Sequence, residues 1–348
     1  MSLTRRDRRD WRILLWINLV SGIVSACFGV LAAPVGASPW ISALFGFATS
    51  TIIATPIVLI ETRSARQGAL RRLRRLPLAL YFAIKVLFYF AVIVGGLLLV
   101  RVLFMPLMPD GFNLGSLFRA SLAFAIAMSV VSNLAFEMGG LLGFGTLKNL
   151  ITGRYVQPKR ERRAFLLIDM KDSTGLAERL GPILFHELLN AFFRDVADAA
   201  LECEAEIHKY VGDEAILTWP DEKALADGAC LVCPLIARDN IAANREQYRK
   251  RFGALPAFHA ALHCGEIVAG EIGDVRREIA YVGDTLNVAA RLLDAAKTLG
   301  HDVLVSADLL ERASLPPGIK AEPLPTLTVR GRAAPIGIAA LQRVGASS

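Results

Sequence analysis

Four apolar runs, at residues 13–33, 40–60, 80–104 and 117–136, most constrain what this 348-residue chain can fold into. Each is long enough for a helix to cross a bilayer core, which takes about 20 residues. After about residue 155 the pattern changes, and apolar, acidic and basic positions alternate as they do in a soluble domain. The chain is therefore read as two parts, with the hydrophobicity of the first half belonging to membrane and not to an oversized core.

The net charge of +7 is placed accordingly. Arg5, Arg6, Arg8, Arg9 and Arg12 precede the first run, and Arg63, Arg66, Arg71, Arg72, Arg74 and Arg75 fill the gap between the second and third. The connections "PVGAS" and "MPLMPDGFNLGS" hold no Lys or Arg. The positive-inside rule then puts both ends of the membrane part, and the domain that follows, on the cytoplasmic side of an inner or plasma membrane. This charge distribution gives no basic face for nucleic acid. A signal peptide competes for the first run, but that run exceeds the usual apolar length and three more follow.

Lys85 and Arg101 fall within or near the end of the third run, and Ser129, Ser132 and Asn133 in the fourth. Snorkelling accounts for the two charges and interhelical hydrogen bonding for the polar trio. Five cysteines include one C-x-x-C, Cys230 and Cys233, without the second ligand pair that a zinc site needs.

Between membrane and soluble part, Leu141, Leu142, Leu147, Leu150 and Ile151 can form an amphipathic stripe that Pro158 closes. It serves equally as signalling linker or plain tether. The boundaries read as 1–137 membrane domain, 138–162 helical linker and 163–342 soluble domain. In the last, "RAFLLIDM" is a predicted strand and 183–203 a helix with Pro182 in its first turn. "EIHKYV" and "EAILTW" form a hairpin, a second helix spans about 223–249, and strands "AFHAALHC", "EIAYVG" and "DVLVS" enclose a helix at 284–297. Strand-helix-strand-strand-helix-strand is the α+β ferredoxin-like plan with additions.

Asp169 ends the first strand and Asp213 tops the hairpin, so the two carboxylates can share hard metal ions such as Mg²⁺ or Mn²⁺. "MKDSTG" offers backbone N–H groups and Thr174 at a helix start, where phosphate binds well. Asn287 and Arg291, four apart on one helix, share a face that can orient a sugar and clamp a phosphate.

"FLLIDMKDSTGLAERLG", "KYVGDEA", "HCGEIVAGEIGD" and "YVGDTLNVAARL", in this order and spacing, resemble the catalytic domain of class III adenylate and guanylate cyclases over about residues 163–341. The resemblance implies a membrane-bound adenylate cyclase that makes 3′,5′-cyclic AMP and pyrophosphate from ATP, with two Mg²⁺ or Mn²⁺ ions per site. By it Asp169 and Asp213 bind metal, Lys209 reads adenine, Asn287 and Arg291 orient ribose and stabilise the transition state, and Arg330 binds phosphate. It also implies a head-to-tail homodimer, each site taking the aspartates from one protomer and Lys209, Asn287 and Arg291 from the other. Glu214 reads as the least informative member of the hairpin.

Two positions depart from the pattern. Ala280 stands where adenylate cyclases of this class commonly have Asp or Thr, which leaves ATP favoured over GTP by Lys209 alone. His259 stands near a position that is often Arg, as a phosphate contact or an ordinary strand histidine. The alternatives are a guanylate cyclase or a non-catalytic nucleotide-binding membrane receptor. A diguanylate cyclase fits less well, because Val211 replaces the first Gly of its acidic hairpin.

Overall fold

The computed structural model describes residues 5–31, 33, 38–63, 76–104, 114–275, 277–328 and 335–344. Arg330, most of the basic loop between the second and third runs, and most of the two loops expected outside the membrane lie outside this set. The chain divides into two compact units, Met1–Leu141 and Leu142–Ser348.

The first unit is built from α1 (Arg5–Leu31), α2 (Pro39–Arg63), α3 (Leu78–Phe104) and α4 (Leu114–Leu142). All four are long and apolar enough to cross a membrane. Helices α1 and α2 pack through small residues. A Cβ on Gly29 would collide with the Ser42 carbonyl oxygen, and one on Gly46 with that of Ser25. Close backbone approach of this kind replaces the hydrophobic drive that lipid removes. Ile53, Ile57, Tyr89, Ile93 and Leu97 form a core against which Leu122 and Ala125 of α4 pack. Lys85 does not snorkel as expected from the sequence. Its ammonium is held by Glu61 and Glu137, partners from two other helices that a single-segment reading cannot see.

The second unit begins with α5 (Phe144–Ile151). Gly143, at φ +84°, separates it from α4, so the expected linker stripe is broken in two. Strand β1 (Lys159–Met170) starts four residues earlier than its apolar run, because 159–162 pair with Glu266–Ala269. Then follow α6 (Ser173–Glu202), β2 (Glu206–Val211), β3 (Glu214–Pro220), α7 (Asp221–Leu225), α8 (Ala229–Ala243), α9 (Arg245–Phe252), β4 (Phe258–Ile272), β5 (Glu278–Val282), α10 (Asp284–Leu299), β6 (Val303–Ser306), α11 (Ala307–Leu310), β7 (Ile319–Leu327) and β8 (Ile336–Arg343). Helix α6 is interrupted at Gly181 (φ +71°), where Pro182 restarts it. The single helix expected over 223–249 is three, divided where Asp227 and Gly228 take positive φ and again at Asn244.

The sheet order is β2-β3-β1-β4-β6-β8-β7, with β5 paired to β4. Its first four strands are antiparallel neighbours in the ferredoxin-like arrangement, and β6 joins parallel to β4. Alternation along β1 sends Ala164, Leu166, Ile168 and Met170 to a core under α6 and α8. Phe165 and Leu167 go to a second core under α10.

Candidate active site

Asp169 continues the Phe165–Leu167 phase, so it emerges on the α10 side of the sheet. In register it stands opposite Glu214 on β3 and His259 on β4. Its Oδ2 lies 2.6 Å from the Lys297 ammonium on α10. Asp213 follows Gly212, whose φ of +61° makes the first corner of the two-residue hairpin turn. Burial, Asp169 and Asp213 together push the Glu214 carboxyl up to about 7, against the pull of Lys297. Glu214 is thus electrostatically tied to both aspartates, although the sequence had made it the least informative of the hairpin residues. Burial opposes the Lys297 charge, but the bond to Asp169 outweighs it and the lysine pKa is raised. The phase of β3, in which Glu214 and Ile216 share a face, was the signal that could have placed Glu214 here.

Three carboxylates in mutual influence supply hard oxygens of the kind that suit Mg²⁺ or Mn²⁺. Among the described residues no three His, Cys, Asp or Glu side chains converge on one metal position. Asp169 and Asp213 would be the protein's share of such a site, with the remaining positions left to phosphate and water, as Mg²⁺ prefers. An ion on Asp169 would compete with Lys297 for the carboxylate. Lys297→Met is therefore expected to tighten Mn²⁺ binding about tenfold, one resident charge removed from the carboxylate. Calorimetric titration of Mn²⁺ into the full chain checks this, and equal affinity would show that Lys297 does not compete.

Lys209 reaches the same face through an irregularity. Ile207 pairs with Leu217 and Lys209 with Ile216, so His208 is an extra residue in β2. Without that bulge the alternation from Ile207 would turn Lys209 toward α6. Instead Tyr210 takes that side, its ring 4.4 Å from Phe193. His208 packs against Tyr281, ring centroids 4.7 Å apart. Burial, with Lys209 adding to it, lowers its pKa to about 4. Lys209 Nζ is 3.9 Å from Glu278 on β5, and Ala280 on that strand is half-buried opposite Gly270.

Helix α10 starts after Gly283, and the Thr285 hydroxyl in its first turn donates to the Glu266 carbonyl (2.7 Å). Gly265 makes room, since a Cβ there would meet Thr285 Oγ1 at 2.5 Å. Val288, Ala289, Leu292, Leu293 and Ala296 bury the inner stripe, and Leu286 beside it is half-buried. Asn287 and Arg291 are exposed on the outer stripe, Arg291 with Asp294 at 3.4 Å. At 1.5 Å per residue, Arg291 stands about 9 Å and Asn287 about 15 Å along the axis from Lys297. Thr174 is exposed in the first turn of α6, after Asp172 in left-handed conformation. His259 directs Nδ1 at the His301 carbonyl (2.9 Å), which makes it a strand histidine tied to the chain beyond α10.

This sheet order, with a hairpin and one long helix gathering acidic, Lys and Asn/Arg positions, defines the fold of the class III nucleotide cyclase catalytic domains. A bacterial light-regulated adenylyl cyclase of known structure shares it, with a TM-score of 0.54 at 15% identity, covering 67% of this chain and 66% of its own. In sequence the chain is similar to Adenylate cyclase 2 of Rhizobium meliloti, 41% identical over 220 residues, which is 63% of this chain and 61% of the relative. That match is longer than the unit Leu142–Ser348 and so reaches into the membrane part. The adenylate cyclase of Anabaena cylindrica is 25% identical over 158 residues, 44% of this chain and 31% of that one. The chain thus spans less than two thirds of these curated relatives. No protein-family model matches it.

Proposed function

We propose that the chain is a membrane-bound adenylate cyclase, forming 3′,5′-cyclic AMP and pyrophosphate from ATP at two sites shared across a homodimer. The observation that carries this reading is the division of α10. Its C-terminal half meets Asp169 through Lys297, while Asn287 and Arg291 sit about 9–15 Å away on the exposed stripe. That separation supports a site shared between protomers, in which a head-to-tail second copy would supply the set that one protomer holds apart from the aspartates.

The ribose 3′ oxygen displaces pyrophosphate in line from the α-phosphorus, passing its proton to solvent water as the new P–O bond forms and the bond to pyrophosphate breaks. Asp169 and Asp213 would hold two Mg²⁺ or Mn²⁺ ions, whose chemistry there would be to acidify that hydroxyl and to neutralise charge on the phosphates. Arg291 offsets the charge that develops on the α-phosphoryl group, and Asn287 orients the ribose. Lys209 donates to adenine N1. Thr174 and the first turn of α6 receive phosphate oxygens, with Arg330 adding positive charge. The four apolar helices support anchoring in the inner or plasma membrane, with both termini cytoplasmic.

Ala280 favours a second reading, a guanylate cyclase, since it removes one adenine contact. Full-length chain in membranes, assayed with Mn²⁺ and either ATP or GTP, separates the two. Cyclic AMP is expected, and Lys209→Glu is expected to lower the ATP rate by about tenfold or more while raising that with GTP, because Glu accepts from guanine N1–H where Lys cannot. Nucleotide binding without pyrophosphate release from either substrate would instead identify a non-catalytic receptor.

A further inference from the structure

A half-exposed cation and a half-exposed carboxylate face each other between β2 and β5, with Lys209 Nζ 3.9 Å from Glu278 Oε1. That separation lies beyond a hydrogen bond, and an exposed pair of this kind contributes little to stability. The packing beside it is what holds the two strands together. The Tyr281 ring on β5 meets His208 of β2 at 4.7 Å, Phe165 of β1 edge-on at 5.7 Å and the Arg163 guanidinium at 4.9 Å. Phe165 and Arg163 are buried. The backbone positions of Lys209 and Glu278 are thus set by a core to which neither side chain belongs, and a donor and an acceptor stand ready without bonding fully to each other.

Side chains at 278 and 280 leave β5 on the same side. Ala280 carries no polar side-chain atom there, and Gly270, opposite it on β4, carries no side chain. Glu278 is therefore the acceptor that this row of β5 offers beside Lys209. An ammonium next to a carboxylate complements an edge that carries an acceptor next to a donor. Adenine has that edge, since ring N1 accepts and the neighbouring 6-amino group donates. Guanine has the reverse, a donating N1–H beside an accepting O6. With Lys209 at position 1, both guanine groups would meet their like.

We propose that Glu278 accepts a hydrogen bond from the 6-amino group of adenine while Lys209 donates to N1, so that Glu278 supplies the contact that Ala280 does not. The inference rests on the adenylate cyclase reading and on Lys209 as its base-reading residue. It gives the preference for ATP two contacts in place of one. Both groups belong to one protomer, so their pairing is independent of how a second copy is arranged.

The test uses the full chain in phospholipid nanodiscs with Mn²⁺ and compares ATP with purine riboside 5′-triphosphate, which keeps N1 and lacks the 6-amino group. For the wild type, kcat/KM with ATP is expected to exceed that with the analogue by about tenfold or more, mostly through KM. In Glu278→Ala the ratio is expected to fall to within about twofold of one, with Tm at the wild-type value because the ion pair is exposed. A general disturbance of the fold would lower both substrates alike and leave the ratio standing. Lys209→Glu combined with Glu278→Lys, which reverses the pair, is expected to turn over GTP faster than Lys209→Glu alone, since O6 then meets a donor. A wild type that makes cyclic AMP without preferring ATP to the analogue, a Glu278→Ala chain that keeps the preference, or a reversed pair that gains nothing with GTP would overturn the inference and leave the adenylate cyclase reading intact. Turnover of GTP and not ATP by the wild type would overturn both. Should nucleotide bind without turnover, the adenylate cyclase reading fails, and the ratio of dissociation constants for ATP and the analogue tests Glu278 in the same way.

Discussion

Asp169→Ala is expected to abolish cyclic nucleotide formation, as is Arg291→Ala, each by about 10³-fold or more, because on the proposed mechanism one would lose a metal-binding carboxylate and the other the charge facing the transferred phosphoryl group. Co-assembled in equal amounts, the two inactive chains are expected to recover about a quarter of wild-type activity. Half of the dimers then pair one variant with the other, and each such dimer holds one intact site of two. The readout is product formed per folded chain, compared with each variant alone. The recovery follows from the division of α10, where Lys297 holds Asp169 within one protomer and Arg291 lies one and a half turns away. Absence of recovery, with both chains folded and dimeric, would place both sets of residues in a single protomer.

Arg163→Met is expected to have the largest effect on stability, lowering it by about 3–5 kcal/mol, without touching the site. Its side chain is only 1% exposed and binds Thr218 (2.9 Å), Glu161 (3.0 Å) and Glu206, with the Tyr281 ring 4.9 Å from the guanidinium. One residue therefore ties β1 to β2, β3 and β5. Glu161 also accepts from the Tyr155 hydroxyl, so the segment entering the sheet hangs on the same network. Removing the cation takes its donor from the buried Thr218 hydroxyl and its ion pair from the partly exposed Glu206, while Glu161 keeps Arg154 and Tyr155, so the loss falls on the buried links between β1, β2 and β3. Denaturant titration of the full chain measures the loss. Adding Glu206→Gln to Arg163→Met is expected to recover part of it, a coupling that two unrelated defects would not show.

Local periodicity made much of this architecture legible. The four apolar helices, the β2–β3 hairpin and α10 lie close to their expected places, because each is specified by its own pattern of 3.6 or 2. Strands β7 and β8 were not resolved as elements. Pro323 and Pro325 argue against a strand, yet β7 is the last in the sheet order, where missing N–H groups face no neighbour. The breaks at Gly143, Gly181 and Asp227–Gly228 depend on one or two positive-φ residues, which hydrophobic periodicity does not register.

For the candidate site, the sequence by itself determined the residue types and their local phase: Asp169 at a strand end, Asp213 after a turn glycine, and Asn287 and Arg291 on one helical face. Those properties depend on neighbours within a few positions. The tertiary structure alone decided which of them meet. Glu214 joins Asp169 through the β1–β3 register, Lys297 reaches across from α10, and a one-residue bulge at His208 turns Lys209 to the site face. In the membrane unit, Lys85 finds Glu61 24 positions away and Glu137 52 positions away. Period and propensity are short-range, whereas the pairing of charges and the face a bulge selects are set by long-range register and by the cost of leaving a buried charge alone.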